Sequence, residues 1–371
     1  MKINLSSQDL LKVQALSDQK ALNMEAADLY NGFLADHYND ISEEVLENQT
    51  SVKRLSLEEA YYSAFLDILS INPDDSELKK LEENNSFNNI RSLNPDMFLN
   101  NPYLKNIRPP LNQSGKWKYV TNEYEAYEAF VYDETKVDKE NNYAEKTQLG
   151  YFPKKVTYLN LLENNEVWMS ITPHEINTMA EPIKRAKGKV VMFGLGLGYF
   201  AYMVSNKEEV SSLTIVEKSE SAINLFKEDI LPQFDHPEKI HVYKGDAFSY
   251  AKNKMPSESF TYSFFDIYHS PEEGLQSYFK MKKLEEYSPS TTYDYWIEES
   301  ILCLFRRYVL TLIEEQLDGL DEKDYQVSET DEDKTMNRLY KVLKDYPLNS
   351  IVDVYTLLKD ETLKGLAKQI E

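Results

Sequence analysis

Residues 5–104 place apolar side chains at helical spacing. The clearest stretch opens at Ser56, where Ser56-Leu57-Glu58-Glu59 has the form of a capping box and Leu57, Ala60, Tyr61, Ala64, Phe65, Ile68 and Leu69 then share one face. Asn72-Pro73-Asp74-Asp75 ends it. Residues 94–110 read as an irregular connector, because Pro95, Pro102, Pro109 and Pro110 interrupt any continuous element, and a domain boundary is expected there. Over 117–172 aromatic and β-branched residues point to strands. Lys155-Val156-Thr157-Tyr158-Leu159 and Glu166-Val167-Trp168-Met169-Ser170, joined through Asn164-Asn165, read as a hairpin.

Short apolar runs follow at 190–193, 213–216, 240–243 and 260–265, with helical stretches between the first three. This alternation predicts an α/β, Rossmann-like unit: a parallel-rich sheet with helices on both faces. Beyond Tyr293 the pattern is helical again, over 296–317, 334–345, 348–358 and 361–370. Within the first of these, Tyr308-Val309-Leu310-Thr311-Leu312-Ile313 reads equally as a fifth strand. The expected organisation is a helical N-terminal domain (1–110), a β-rich hairpin region (111–175), a Rossmann-like cofactor domain (176–320) and a helical C-terminal extension (321–371).

A chain of 371 residues suggests two to three domains at about 150 residues each. Its 41 Lys and Arg against 63 Asp and Glu give a net charge of −22, which argues against nucleic acid and anionic membranes as partners. Cys303 is the single cysteine, so an intrachain disulfide and multi-cysteine metal sites are excluded. It sits among Ile301, Leu302, Leu304 and Phe305 and reads as a core residue. No other metal site is expected. Without a signal-like segment or a run of about 20 apolar residues, a cytoplasmic location is expected. Glycine is scarce, with 11 in the chain, yet three stand together at Gly194, Gly196 and Gly198.

These three follow the apolar run ending at Phe193. Closely spaced glycines let a backbone turn sharply and approach a ligand; a tight turn without a ligand is the alternative. A dinucleotide fingerprint would place glycine where Tyr199 stands. The spacing instead resembles motif I of S-adenosylmethionine-dependent methyltransferases. Glu217 stands 23 positions after Gly194, where a carboxylate accepts from both hydroxyls of a ribose. The resemblance implies that Asp246, in Lys244-Gly245-Asp246-Ala247, accepts from an adenine amino group. Leu195, Lys218 and Ala247 complete the candidate S-adenosyl-L-methionine contacts. Asp266 ends the fourth run, at the sheet edge where open α/β proteins bind ligands. Each acid alone fits a solvated strand end; their ordered recurrence favours a site.

Residues 166–275 resemble the spermidine synthase-like branch of this class I superfamily. His174-Glu175 stands 20 positions before the glycine loop and follows the hairpin, and Lys239-Ile240-His241-Val242-Tyr243-Lys244-Gly245-Asp246-Ala247 and residues 260–266 are similar to the branch's third and fourth strands. Its members carry Asp-Ser-Ser/Thr-Asp after the fourth strand, with the last carboxylate as base. Here the run is Asp266-Ile267-Tyr268-His269, Leu197 replaces the loop Asp, Met192 stands where many methyltransferases carry an acid, and a Pro-Gly-Gly turn is absent.

The expectation is therefore methyl transfer from S-adenosyl-L-methionine to a small-molecule or protein side-chain acceptor. The alternatives are aminopropyl transfer from the decarboxylated nucleoside and a non-catalytic scaffold. Methyl transfer is an in-line displacement that needs alignment and exclusion of water. A histidine, with an ordinary pKa of about 6.5, suits a base for a protonated acceptor. Asp266 is expected to hold the methionine end or the acceptor, with Tyr268 and His269 facing the acceptor and His174, Glu175 and Tyr199 bordering the cleft. An ordinary loop role for His269, and an early-turn helix role for Glu175, remain open readings. Residues 1–110 would cap the site or form a homodimer interface.

Overall fold

The computed structural model describes residues 1–111, 113–326 and 329–370. A short strand, β1 (Lys2–Ile3), leads into α1 (Ser7–Asp36), α2 (Glu43–Lys53), α3 (Leu57–Ile68) and α4 (Ser76–Asn85). Ser6, Ser42, Ser56 and Asp75 open these helices by accepting from first-turn amides. At Ser56 the capping box is complete: the Ser56 amide donates to Glu59 Oε2 at 2.7 Å and the Glu59 amide to Ser56 Oγ at 3.3 Å. The buried face of α3 packs on Tyr30 and Phe33 of α1 and on Phe87.

Next come β2 (Ile90–Ser92), α5 (Pro95–Leu99) and α6 (Pro102–Asn106). The expected irregular connector is thus two short helices. Pro95 and Pro102 start them instead of interrupting them, because the first helical residue needs no N–H. Asn94 and Asn101 cap them, accepting from Asp96 and Tyr103 amides at 2.9 Å each.

The strand region comprises β3 (Gln113–Ser114), β4 (Trp117–Tyr124), β5 (Ala129–Asp138), β6 (Ala144–Tyr151), β7 (Val156–Glu163) and β8 (Glu166–Ser170). It forms an antiparallel sheet in the order β3-β4-β7-β8 and a second sheet, β2-β6-β5, in which β2 runs parallel to β6. The β7–β8 hairpin turns at Asn164 and Asn165, both at positive φ, the geometry that matches strand twist. Leu149 and Tyr151 of β6 join the hydrophobic cluster of α1 and α3. Tyr61 stacks on Tyr151 with ring centroids 4.0 Å apart.

After α7 (Pro173–Thr178) and α8 (Ala180–Arg185) the chain alternates: β9 (Gly188–Phe193), α9 (Tyr199–Ser205), β10 (Val210–Glu217), α10 (Glu220–Leu225), β11 (Ile240–Lys244), α11 (Ala247–Asn253), β12 (Tyr262–Phe265), α12 (Pro271–Leu284) and β13 (Thr292–Tyr295). All five strands are parallel, in the order β11-β10-β9-β12-β13. This is a Rossmann-like sheet, and its order reverses between β9 and β12, where the carboxyl ends leave a crevice. Val190, Val191, Met192 and Phe193 are buried because helices cover both faces, which is why the run is uniformly apolar.

The fifth strand is β13, just ahead of the helical stretch expected over 296–317, so the strand reading of Tyr308–Ile313 does not hold. Tyr308–Ile313 lies inside α13 (Glu298–Leu317), where Ile301, Leu302, Phe305, Val309, Leu312 and Ile313 are buried at helical period. The remainder is α14 (Asp331–Leu343), β14 (Pro347–Leu348), α15 (Ile351–Leu357) and α16 (Asp360–Ala367). β14 pairs with β1. Ion pairs hold α16 and the residue after it: Asp360 with Lys139 and Arg306, Lys364 with Glu298 at 2.6 Å and Lys368 with Glu285 at 2.8 Å. Among the described residues no helix is long and apolar enough to cross a membrane.

Candidate functional site

The glycine loop leaves β9 at Gly194, whose φ is +91° and whose amide donates to the Val216 carbonyl at 3.0 Å. A Cβ there would lie 1.8 Å from the Asp266 carbonyl oxygen, so the ends of β9 and β12 meet this closely only around glycine. At Gly196, φ +54°, a Cβ would lie 2.8 Å from Met169 Cε. The β7–β8 hairpin therefore rests on the loop. Gly198 opens α9.

Around this loop lies a cavity of about 460 Å³. Gly194, Leu195, Gly196, Glu217, Lys218, Asp246, Ala247, Asp266, Tyr268 and His269 line it, together with Glu175. Glu217 is buried; its Oε2 accepts from the Leu195 amide at 3.2 Å and its Oε1 from the Ser219 amide at 2.7 Å. Each oxygen retains a lone pair for a further donor. Asp246 caps α11, its Oδ1 accepting from the Ser249 amide at 2.8 Å, and among the described residues its Oδ2 has no partner.

Asp266 is anchored through its backbone, the amide donating to the Phe193 carbonyl at 2.9 Å. Among the described residues its carboxyl has neither a hydrogen-bond nor an ion-pair partner, and the same holds for the Glu175 carboxyl. Burial pushes the Asp266 carboxyl up to about 7. Burial first, and then the charge of Asp266, push Glu175 up to about 8. The cavity thus holds two acids whose ionisation burial disfavours.

A second cavity, of about 590 Å³, adjoins the first and shares His269 with it. It is built from α1, β5, β6 and α13, with Asp28, Asp133, Glu134, Glu145, Glu272 and Arg307 in its wall. Most of its buried charge is already committed. Arg307 and Glu145 form a two-point pair, with Nε to Oε1 at 3.1 Å, and Glu134 Oε2 accepts from the Glu299 amide at 3.1 Å. Burial raises the Glu134 carboxyl to about 7.

Two dipeptides straddle the partition. Glu175 and Trp296 line the first cavity while their neighbours His174 and Ile297 line the second. Burial lowers the His174 imidazole to about 4, so it is neutral at pH 7. Trp296 is fixed at three points: its amide donates to the Phe265 carbonyl at 3.0 Å, its Nε1 to Thr178 Oγ1 at 2.9 Å, and its carbonyl accepts from Tyr268 OH at 2.6 Å. The His174 ring meets the indole edge-on, with centroids 5.8 Å apart. Ile297 has φ 46°, a left-handed backbone that a β-branched side chain rarely adopts.

The structure separates the candidate residues into groups. The loop residues Gly194, Leu195 and Gly196 share one cavity with Glu217, Lys218, Asp246, Ala247 and Asp266. His174 faces the second cavity. Tyr199 does not border either cavity; it is buried, accepts from Asn101 Nδ2 at 3.1 Å and packs edge-on against Tyr103. The cleft position expected for it is corrected, because the first residue of α9 turns toward α6. Tyr268 lines the first cavity, but its hydroxyl is committed to Trp296. Sequence reasoning missed Trp168, Met169 and Trp296, which line the same cavity. The first two were visible only as hairpin residues, and Trp296 carried no motif.

No protein-family model matches the chain. No curated protein matches it in sequence. Among solved structures, spermidine synthase from Thermotoga maritima is similar over 55% of this chain and 74% of its own, with 12% identity and a TM-score of 0.27.

Proposed function

We propose that the chain is an S-adenosyl-L-methionine-dependent methyltransferase with a small-molecule acceptor. One observation carries this reading: a single cavity of about 460 Å³ gathers the glycine loop, Glu217, Asp246 and Asp266 at the carboxyl edge of the sheet. In it Glu217 accepts from the ribose hydroxyls, Asp246 Oδ2 from the adenine amino group, and the methionine end extends toward Asp266 and Glu175. The acceptor enters through the adjoining cavity, which shares His269 with the first. His269, common to both, takes a proton from an acceptor that carries one. The residues otherwise align the two reactants and exclude water.

A second reading, aminopropyl transfer from decarboxylated S-adenosylmethionine, is favoured by the two unpartnered carboxyls at the methionine end, which suit an amine better than a carboxylate. Calorimetry of the purified chain with both nucleosides separates the two. The expected result is tighter binding of S-adenosylmethionine, with Glu217→Ala about 100-fold weaker, the loss of two hydrogen bonds to a charged group. Preference for the decarboxylated nucleoside supports the second reading, and no binding of either supports a scaffold role.

A further inference from the structure

We propose that the groove between α11 and the end of α12 is an anion site for a soluble phosphate-bearing small ligand, with Lys252 and Lys280 as its binding groups. It stands apart from the reacting groups. The groove holds about 390 Å³, meets the nucleoside cavity only at Asp246 and Phe248, and shares no lining residue with the larger cavity. The proposal therefore holds whichever donor and acceptor the chain uses.

The first observation is the state of the two lysines. Lys252 lies on α11 and Lys280 on α12, and Lys283 lines the same groove. Among the described residues neither Lys252 nor Lys280 has a hydrogen-bond or ion-pair partner. Other exposed lysines of this acidic chain sit against carboxylates, as Lys154 does with Asp96 at 3.0 Å and Lys155 with Glu125 at 2.7 Å. What Lys252 and Lys280 meet instead is aromatic. The Lys280 ammonium stands 4.0 Å from the centre of the Phe248 ring, and that of Lys252 stands 6.0 Å from the centre of the Tyr287 ring. A ring attracts an ammonium through its quadrupole but carries no net charge. Each lysine is thus steered to the groove with its positive charge left for a ligand.

The second observation is the local balance of charge. The chain as a whole carries −22 and repels anions at long range. Salt screens that field beyond about 8 Å at physiological ionic strength, so groups at contact distance decide. There the groove presents three lysines and two acids, Asp246 and Glu286. Asp246 already caps α11, its Oδ1 accepting from the Ser249 amide at 2.8 Å, and it also lines the nucleoside cavity. Glu286, which is exposed, is the acid that opposes the lysines.

The third is the match of volume and donors to a phosphate. A lysine acts on phosphate as a compact point charge with rotatable donors. Two of them, from separate helices, suit the spread of oxygens on a multiply charged anion better than a lone carboxylate. The groove has room for a pyrophosphate or a phosphorylated small molecule. Ser249 and Tyr287, whose hydroxyls are neutral donors, belong to the same wall.

Calorimetric titration of the full chain with sodium pyrophosphate, at low salt and without divalent cations, tests the site. The expected result is saturable binding that weakens at least about tenfold when Lys252→Gln and Lys280→Gln are combined, through loss of two charge-assisted contacts. Glu286→Gln removes a like charge and tightens binding about twofold. Lys154→Gln, which deletes an exposed lysine elsewhere, leaves the affinity unchanged and so controls for net charge. All these positions are exposed, and circular dichroism checks that each variant is folded. No saturable binding by the unmodified chain, undiminished affinity in the folded double variant, or an equal loss in Lys154→Gln overturns the proposal. Capture of the chain by phosphatidic acid vesicles without binding of free pyrophosphate assigns the lysines to a membrane surface and overturns it too.

Discussion

The two adjoining cavities are built on opposite principles. The smaller is made mainly of strand ends from one parallel sheet, closed by Trp168 and Met169 of β8 and by Glu175 of α7, and the carboxyls of Asp266 and Glu175 in it have no partner among the described residues. The larger is made of a helix from the first forty residues, two strands of a different sheet and the helix after β13, and its buried acids are already spent on internal partners: Glu145 on Arg307, Glu134 on the first turn of α13. Charge that is satisfied internally stabilises a wall. Charge that is left unsatisfied at a cavity surface waits for a ligand. The contrast suggests that the smaller cavity does the selecting and the larger one does the shaping.

The strongest way to break the comparison is at Gly194. Gly194→Val places a side chain against the Asp266 carbonyl and into a left-handed backbone, and the expected cost is about 3 kcal/mol or more of stability, with loss of nucleoside binding. Urea denaturation and calorimetry read the two effects. Retained binding by a folded Gly194→Val protein would show that the loop does not contact the ligand.

Arg307→Ala sharpens the comparison from the other side. It leaves Glu145, which is buried, without its counter-ion, and the expected loss is on the order of 3 kcal/mol in stability. S-adenosylmethionine affinity should stay within about twofold, because among the described residues neither member of this pair lines the smaller cavity. A large loss of affinity without a loss of stability would mean that the two cavities are one site.

The smallest effect concerns pH. Glu175 has its carboxyl raised to about 8, so its burial favours the folded state fully below the ordinary carboxylate pKa of about 4, and that contribution is lost as pH rises through about 8. Glu175→Gln removes the titration. The variant should match the parent near pH 4 and exceed it increasingly as pH rises through about 8, as measured by chemical denaturation. Around Glu175, His174 is neutral in this alkaline range and Tyr199 and Tyr268 are pushed upward by burial, so Asp266 is the neighbour that titrates with it. An identical pH profile for parent and variant would show that Glu175 is already ionised in the empty cavity.

The same contrast explains what could be read from the residues alone. The sheet around the smaller cavity announces itself locally: four short apolar-rich runs, three of them followed directly by glycine or an acid (Gly194, Glu217 and Asp266), the central one, Val190–Phe193, apolar throughout because strands covered on both faces have no polar alternation to hide behind. β13 escaped notice because Thr292-Tyr293-Asp294-Tyr295 is a short, half-polar edge strand. Tyr308–Ile313 was ambiguous because six consecutive residues of a buried helix look much like a strand, and only the longer repeat back to Ile301 resolves it. The larger cavity had no local signature at all. It brings Asp28 next to Glu145 and Arg307, residues far apart in sequence, through the packing of α1 and α13 against the β2-β6-β5 sheet. Trp296 was hidden for the same reason, since its importance lies in its hydrogen bonds to Phe265, Tyr268 and Thr178 and not in any motif around it.

The partition made by His174-Glu175 and Trp296-Ile297 has a mechanical consequence. In each dipeptide one residue serves the first cavity and its neighbour serves the second, with His269 exposed to both. A one-residue insertion or deletion just upstream of either pair would exchange the two faces, and a backbone shift at Ile297 would move both walls together. The walls of the two cavities are therefore mechanically coupled: a substitution that remodels residue 174 or 297 in one also perturbs the other. Substitutions farther out, along α1 and β5, alter the larger cavity and leave the smaller untouched.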